Sequence, residues 1–293
     1  MRDQYLDCYS EYILKFICAY AEHGIKINAL TAQNELNCQK EANMPTCIWH
    51  PELEARFLSI LSEKLKENRL DEKLWLYDNN FDDIERVLWG LEHCEGLREI
   101  CSGVAFHYYG GAVEQSAVVK QKYPDLELHF TEGGPRLTEN YATDWCKWGL
   151  MIVKCLKVGY QSFTGWNVIL NELGGPNVGP HIGVCGGFVT LDNRTLELSY
   201  SGQYKAYAHI SPYVTPASRI RAITVGDDYD LRMSRFPSHS LKIEGALIEN
   251  PDGKRIAVLV NPNTHGVQAQ LEIDGVLWYV ELSADSISTV IVG

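Results

Sequence analysis

Two glutamates fix how this chain can fold: Glu35 in Leu30-Thr31-Ala32-Gln33-Asn34-Glu35, and Glu132 in Leu126-Glu127-Leu128-His129-Phe130-Thr131-Glu132-Gly133-Gly134. Each follows a short apolar run of strand character, where a buried strand gives way to a loop. A carboxylate at such a place costs much desolvation unless it faces a wet cleft. The two lie 97 residues apart (132 − 35). A β/α barrel of about 250 residues uses roughly 31 per unit, so the interval is close to three units and sets both carboxylates at one barrel mouth.

The rest of the pattern agrees with an α/β chain. Tyr5, Tyr9, Tyr12, Ile13, Phe16, Ile17 and Tyr20 recur at helical spacing before Gly24, a C-terminal cap. Ile25–Ala32 then reads as a strand. A helix follows Pro51, Lys73–Asp78 is a strand, and Asp82–Leu91 is helical. Cys101–Tyr109 is a strand, Val113–Tyr123 a helix, and the Glu132 strand comes next. Thr143–Val158 is a helix closed by Gly159, and Tyr160–Ile169 is the fifth strand. Alternating helix and strand predicts a parallel sheet with helices outside. From Ser211-Pro212 the rhythm changes to short alternating strands. Leu241–Glu249 and Lys254–Val260 flank Asn250-Pro251-Asp252-Gly253, while Val267–Ile273 and Val276–Leu282 flank Asp274-Gly275. The expectation is therefore a partial TIM-type (β/α)8 barrel of about five units over 1–212, then an antiparallel β-sandwich over 213–293.

Composition removes several classes. A net charge of −12 argues against a nucleic-acid partner. No apolar run reaches the roughly 18 residues of a membrane span, and the N-terminus shows no basic segment followed by an apolar one. The nine cysteines form no Cys-x-x-Cys pair, so neither a zinc site nor a disulfide framework is expected, and a cytoplasmic location is. No His, Asp and Glu set has metal-ligand spacing, so no metal or cofactor is expected.

Among the residues that carry chemistry, Asn34 beside Glu35 supplies an amide for a sugar 2-hydroxyl. Thr131 can donate to Glu132, and Gly133 and Gly134 leave room beside it. His107-Tyr108-Tyr109 closes the intervening strand, where His107 would position a glutamate or meet substrate. Trp166-Asn167 supplies a ring and an amide at the end of the last strand, and Gly174-Gly175-Pro176-Asn177 follows as a rigid turn. Seven Trp and 16 Tyr suit sugar stacking, although aromatic rings serve the core more often.

In order along the chain, these segments resemble glycoside hydrolase family 30, the family of glucosylceramidases, β-1,6-glucanases and related xylanases and β-fucosidases. The likeness runs through Ala19-Tyr20-Ala21-Glu22-His23-Gly24, Thr31-Ala32-Gln33-Asn34-Glu35, Gly103-Val104-Ala105-Phe106-His107-Tyr108-Tyr109, Thr131-Glu132, Gly165-Trp166-Asn167, Gly174-Gly175-Pro176-Asn177 and Ala208-His209-Ile210-Ser211-Pro212-Tyr213-Val214. It implies a β/α barrel with a side β-sandwich, with Glu35 as acid/base, Glu132 as nucleophile and Asn34 on the 2-hydroxyl. His107, Tyr109 and Trp166 would line the pocket. The chain departs from the family at Leu36, where members have Pro, and has no counterpart of the first three barrel strands. The resulting expectation is a retaining β-glycosidase acting on a carbohydrate, with carboxyl groups about 5–5.5 Å apart. The alternatives are a catalytically impaired carbohydrate-binding protein, or a half-protein completed by a partner chain or by homodimerisation through the open side of the barrel.

Overall fold

The computed structural model describes residues 1–37, 46–176, 183–227 and 242–292; Cys38, Asn177 and Leu241 lie outside them. The chain divides into two compact units, Met1–Gly133 with Tyr160–Thr164, and Gly134–Gly159 with Gly165–Gly293.

The first unit holds helices α1 (Leu6–Glu22), α2 (Pro51–Glu67), α3 (Ile84–His93), α4 (Leu97–Ile100) and α5 (Val113–Lys122). Its strands are β1 (Ala29–Thr31), β2 (Lys73–Asn80), β3 (Cys101–His107), β4 (Glu127–Glu132) and β5 (Tyr160–Phe163). They form one sheet in the order β1-β2-β3-β4-β5, every neighbouring pair parallel. This is the expected five-strand part of a β/α barrel. In β3 the run Val104-Ala105-Phe106 is fully buried, the continuous apolar reading of a strand covered on both faces. Pro51 starts α2 at a position that needs no N–H donor, and Leu53, Phe57, Leu58, Leu61 and Leu65 form its buried stripe.

Three expectations need correction. The first strand is shorter than Ile25–Ala32, since only Ala29–Thr31 pairs with β2. In α1 the buried stripe is Leu6, Ser10, Leu14 and Ile17. Tyr5, Tyr12 and Tyr20, placed on the apolar face by spacing alone, are 50%, 63% and 41% exposed. A continuous strand over Tyr160–Ile169 is not formed: β5 ends at Phe163, and Ile169 opens β6 of another sheet. At the break stands Gly165, where a Cβ would come within 2.2 Å of the Phe188 ring, so only glycine allows that approach.

The second unit contains α6 (Trp145–Val158) and α7 (Gly202–Ala208). Strands β6 (Ile169–Asn171), β7 (Val189–Leu191) and β8 (Leu198–Tyr200) make a small mixed sheet that the sequence pattern did not reveal. The C-terminal part follows with β9 (Arg219–Ala222), β10 (Thr224–Asp227), β11 (Glu244–Glu249), β12 (Arg255–Asn261), β13 (Val267–Ile273), β14 (Val276–Leu282) and β15 (Ser286–Val292). Two antiparallel sheets result, β15-β12-β11-β9 and β10-β13-β14. Asp274 and Gly275, at φ 52° and 77°, make the two-residue turn expected between β13 and β14. Leu247, Ala257 and Leu259 meet Ala269, Leu271 and Ile273 in the sandwich core. α6 packs on the four-stranded sheet so closely that a Cβ on Gly149 would lie 2.7 Å from Ile287 Cδ1. Among the described residues the eight cysteines are free thiols, and no helix is long and apolar enough to cross a membrane.

Leu259 is fully buried between the two sheets. Leu259→Ala should therefore cost about 2–5 kcal/mol, read as a lower urea midpoint of the sandwich transition with its slope retained.

Candidate functional site

The site is built at the C-terminal ends of β2, β3 and β4, all in the first unit, with the turn that follows β1. The parallel sheet delivers them together: His107 pairs with Asn80 on one side and with Glu132 on the other. Glu35 lies beyond β1 in a turn, with a left-handed φ of 52°, and its N–H donates to the Asp78 carbonyl at 2.9 Å. Four residues named from the sequence, Glu35, His107, Tyr109 and Glu132, converge here.

His107 is the hub. It is 1% exposed, and its Nε2 lies 3.1 Å from Asp78 Oδ1 and 3.8 Å from Glu132 Oε2. Its Nδ1 lies 3.5 Å from Glu35 Oε1. Tyr109, partly exposed, donates its hydroxyl to Glu132 Oε1 at 3.0 Å. One donor atom from each of Glu35, His107 and Glu132 falls within 4.8 Å of the others, so the two carboxylates are close neighbours. The same cluster is a poor donor set for a divalent cation. His107 gives Nε2 to Asp78 and is held protonated, and an imidazolium has no lone pair to donate.

Asp78 was missed by the sequence reading, although Leu74-Trp75-Leu76-Tyr77-Asp78 ends an apolar strand in a carboxylate as the glutamate segments do. It accepts from Thr31 Oγ1 and from Thr131 Oγ1, each at 2.7 Å, as well as from His107. Thr131 therefore serves Asp78, not Glu132 as expected. Gly133 and Gly134 do not leave open room. A Cβ on Gly133 would meet the Phe130 ring at 2.6 Å, and one on Gly134 would meet the Trp166 carbonyl at 1.7 Å, so both glycines permit close protein packing. Asn34 is exposed on its turn. Trp166 and Asn167 belong to the second unit, between β5 and β6 rather than at the end of a strand. The Asn167 carbonyl accepts from the Phe188 N–H at 2.7 Å, and its side chain accepts from the Val168 N–H at 3.0 Å.

Electrostatics follow from this packing. Burial by itself would lower the His107 pKa. The ring's hydrogen bonds to Asp78 and Glu35, with the charges of Asp78 and Glu132, outweigh it and raise the value to about 9. Burial would raise Asp78, but His107, Thr31 and Thr131 hold it below the usual carboxylate range. Glu132 goes the other way: burial lifts it, and His107 and Tyr109 offset this only in part.

A raised histidine pKa stabilises the fold fully below about 6.5, and this contribution is lost as pH rises through about 9. The wild-type chain should thus lose stability between about pH 7 and about pH 10. Asp78→Asn should flatten that loss and bring His107 titration down, as urea denaturation and NMR of the His107 ring would report.

Residues 1–182 match the family model for the glycosyl hydrolase family 30 TIM-barrel domain. The chain is 24% identical to endo-1,6-beta-D-glucanase BGN16.3 of Trichoderma harzianum, over 98% of this chain and 56% of the relative. It is 23% identical to lysosomal acid glucosylceramidase of Mus musculus, over 90% of this chain and 52% of that protein. Among solved structures, SrfJ from Salmonella typhimurium superposes with a TM-score of 0.87 at 23% identity, covering 99% of this chain and 63% of that one. The endo-beta1,6-glucanase BT3312 gives a TM-score of 0.82 at 25% identity, over 98% of this chain and 63% of the other. The chain spans about half the length of the curated relatives it matches. With the family model covering 182 of 293 residues and the parallel sheet in place beneath it, the chain belongs to glycosyl hydrolase family 30.

Proposed function

We propose that the chain hydrolyses β-glycosidic bonds with retention of configuration, Glu132 acting as nucleophile and Glu35 as acid/base. The observation that carries this reading is the spacing of the two carboxylates, whose oxygens approach within 4.8 Å. An inverting pair stands about 6.5–9.5 Å apart to admit a water between the groups, whereas a retaining pair stands about 5–5.5 Å apart. Glu132 attacks the anomeric carbon while Glu35 protonates the departing oxygen. Glu35 then takes a proton from the water that cleaves the glycosyl–enzyme bond. Tyr109 and the His107 cation favour the ionised form of Glu132, which its role requires. The relatives named above are glucanases and a glucosylceramidase, so β-linked glucose is the substrate class to try first. Asn34 is proposed to bind the sugar.

A panel of nitrophenyl β-glycosides tests the proposal. The wild-type chain should turn over the β-glucoside, and Glu132→Gln should lower kcat by at least roughly 10³-fold. Equal rates for both would remove Glu132 from the chemistry. No turnover by the wild-type chain, with sugar binding retained, would leave the carbohydrate-binding alternative. The pH profile should peak on the acid side of neutral. Its acid limb should lie above the ordinary glutamate value, because Glu132 must be ionised and its pKa is raised. A rate still climbing at about pH 9 would contradict the assignment.

The sheet supports a second proposal, about assembly. Among the described residues β1 pairs only with β2, and β5 only with β4. Unpaired parallel edges expose backbone donors and acceptors and invite another chain. We expect a homodimer, or a complex with a partner chain that completes the barrel, and light scattering at micromolar concentration should show it. A stable monomer would refute this.

A further inference from the structure

We propose that Glu54, backed by Arg86, is a positioning residue for the glutamate pair: it caps the backbone amide freed by a bulge in β2 and so holds the strand end that carries Asp78. This rests on the reading of Glu35 and Glu132 as the reacting groups. The bulge lies where the pairing of β2 with β3 skips Asp78, between Tyr77 and Asn79. Tyr77 and Asp78 both take left-handed φ angles, 84° and 60°, a strained pair for residues that carry side chains. Such a conformation persists only where neighbours over-determine it. Glu54, in the first turn of α2, is 2% exposed, and its Oε1 accepts the Tyr77 N–H at 2.8 Å. Its Oε2 accepts from Arg86 Nη2 of α3 at 2.9 Å. A first-turn glutamate profits from the helix dipole while exposed; burial against a bent strand needs another reason. What the bend delivers is the site itself. The Asp78 side chain receives His107, Thr31 and Thr131, and the Asp78 carbonyl receives the Glu35 N–H. Loss of the Tyr77 cap lets the dipeptide relax toward extended backbone and moves both supports together.

The test uses the full chain and three variants. Removing Glu54 alone strands the Arg86 charge and risks unfolding, so the main variant is the double substitution Glu54→Leu with Arg86→Met, which replaces a buried ion pair by apolar groups. It should fold with a Tm close to wild type, yet lose kcat by about 100-fold with KM little changed. His107 faces Asp78, Glu35, Glu132 and Tyr109, and its ring titration should fall from about 9 toward its ordinary value. Glu54→Gln keeps an acceptor for the amide and should recover most of the lost kcat, and Glu54→Asp should fall between the two. A folded double variant with wild-type kcat and wild-type His107 titration would overturn the proposal. So would a folded Glu54→Gln variant that loses as much as the double variant. If the wild-type chain hydrolyses nothing, the functional reading fails on its own. The His107 titration still decides Glu54: a shift in the double variant supports it, and no shift overturns it.

Discussion

One buried carboxylate organises the first unit. Asp78 is 9% exposed and accepts from Thr31 at the end of β1, His107 at the end of β3 and Thr131 on β4, while its own carbonyl accepts from Glu35. Three strands are thereby tied to a single anion on a fourth. A charge at that depth is tolerable only when its lone pairs are satisfied and an opposite charge is close. The two threonine hydroxyls satisfy the first condition, and the His107 imidazolium meets the second. That pairing, with Glu35 and Glu132 beside it, raises the His107 pKa in spite of its burial.

The imidazolium then governs the two glutamates. Three carboxylates surround one cation, an arrangement with excess negative charge. Glu132 has the Tyr109 hydroxyl on one oxygen and the cation near the other, two contacts that favour its anion and offset part of the burial that raises its pKa. Glu35 is more deeply buried, 8% exposed, and sits on a strained turn tied to the Asp78 carbonyl. In the proposed mechanism, these different surroundings would give two groups of one chemical type different roles, the general logic of acid/base pairs in enzymes.

The two compact units obey different rules of burial. In the parallel sheet the central strand is apolar on both faces, and polar groups concentrate at its C-terminal edge. In the sandwich, burial alternates along β13, with Val267, Ala269, Leu271 and Ile273 inward and the intervening residues outward. The first pattern leaves one rim free for chemistry. The second gives a core fixed by side-chain volume.

The sequence by itself determined the parts whose signals are local. Helix and strand periodicity gave the five parallel strands, Asp274-Gly275 gave its hairpin, and a carboxylate ending an apolar run marked Glu35 and Glu132. The interval between them, counted in β/α units, already set them on one rim. Only the tertiary structure decided the remainder. The bulge that turns Asp78 inward depends on Glu54, which lies 24 residues away in sequence (78 − 54), so no local pattern announces it. Which face of α1 is buried depended on the neighbours it meets, and Tyr12 and Tyr20 were left outside. β5 ends at Phe163, and Gly165 just beyond it admits the Phe188 ring. Each of these is a contact between distant segments, and spacing along the chain carries no record of a contact until the chain has folded.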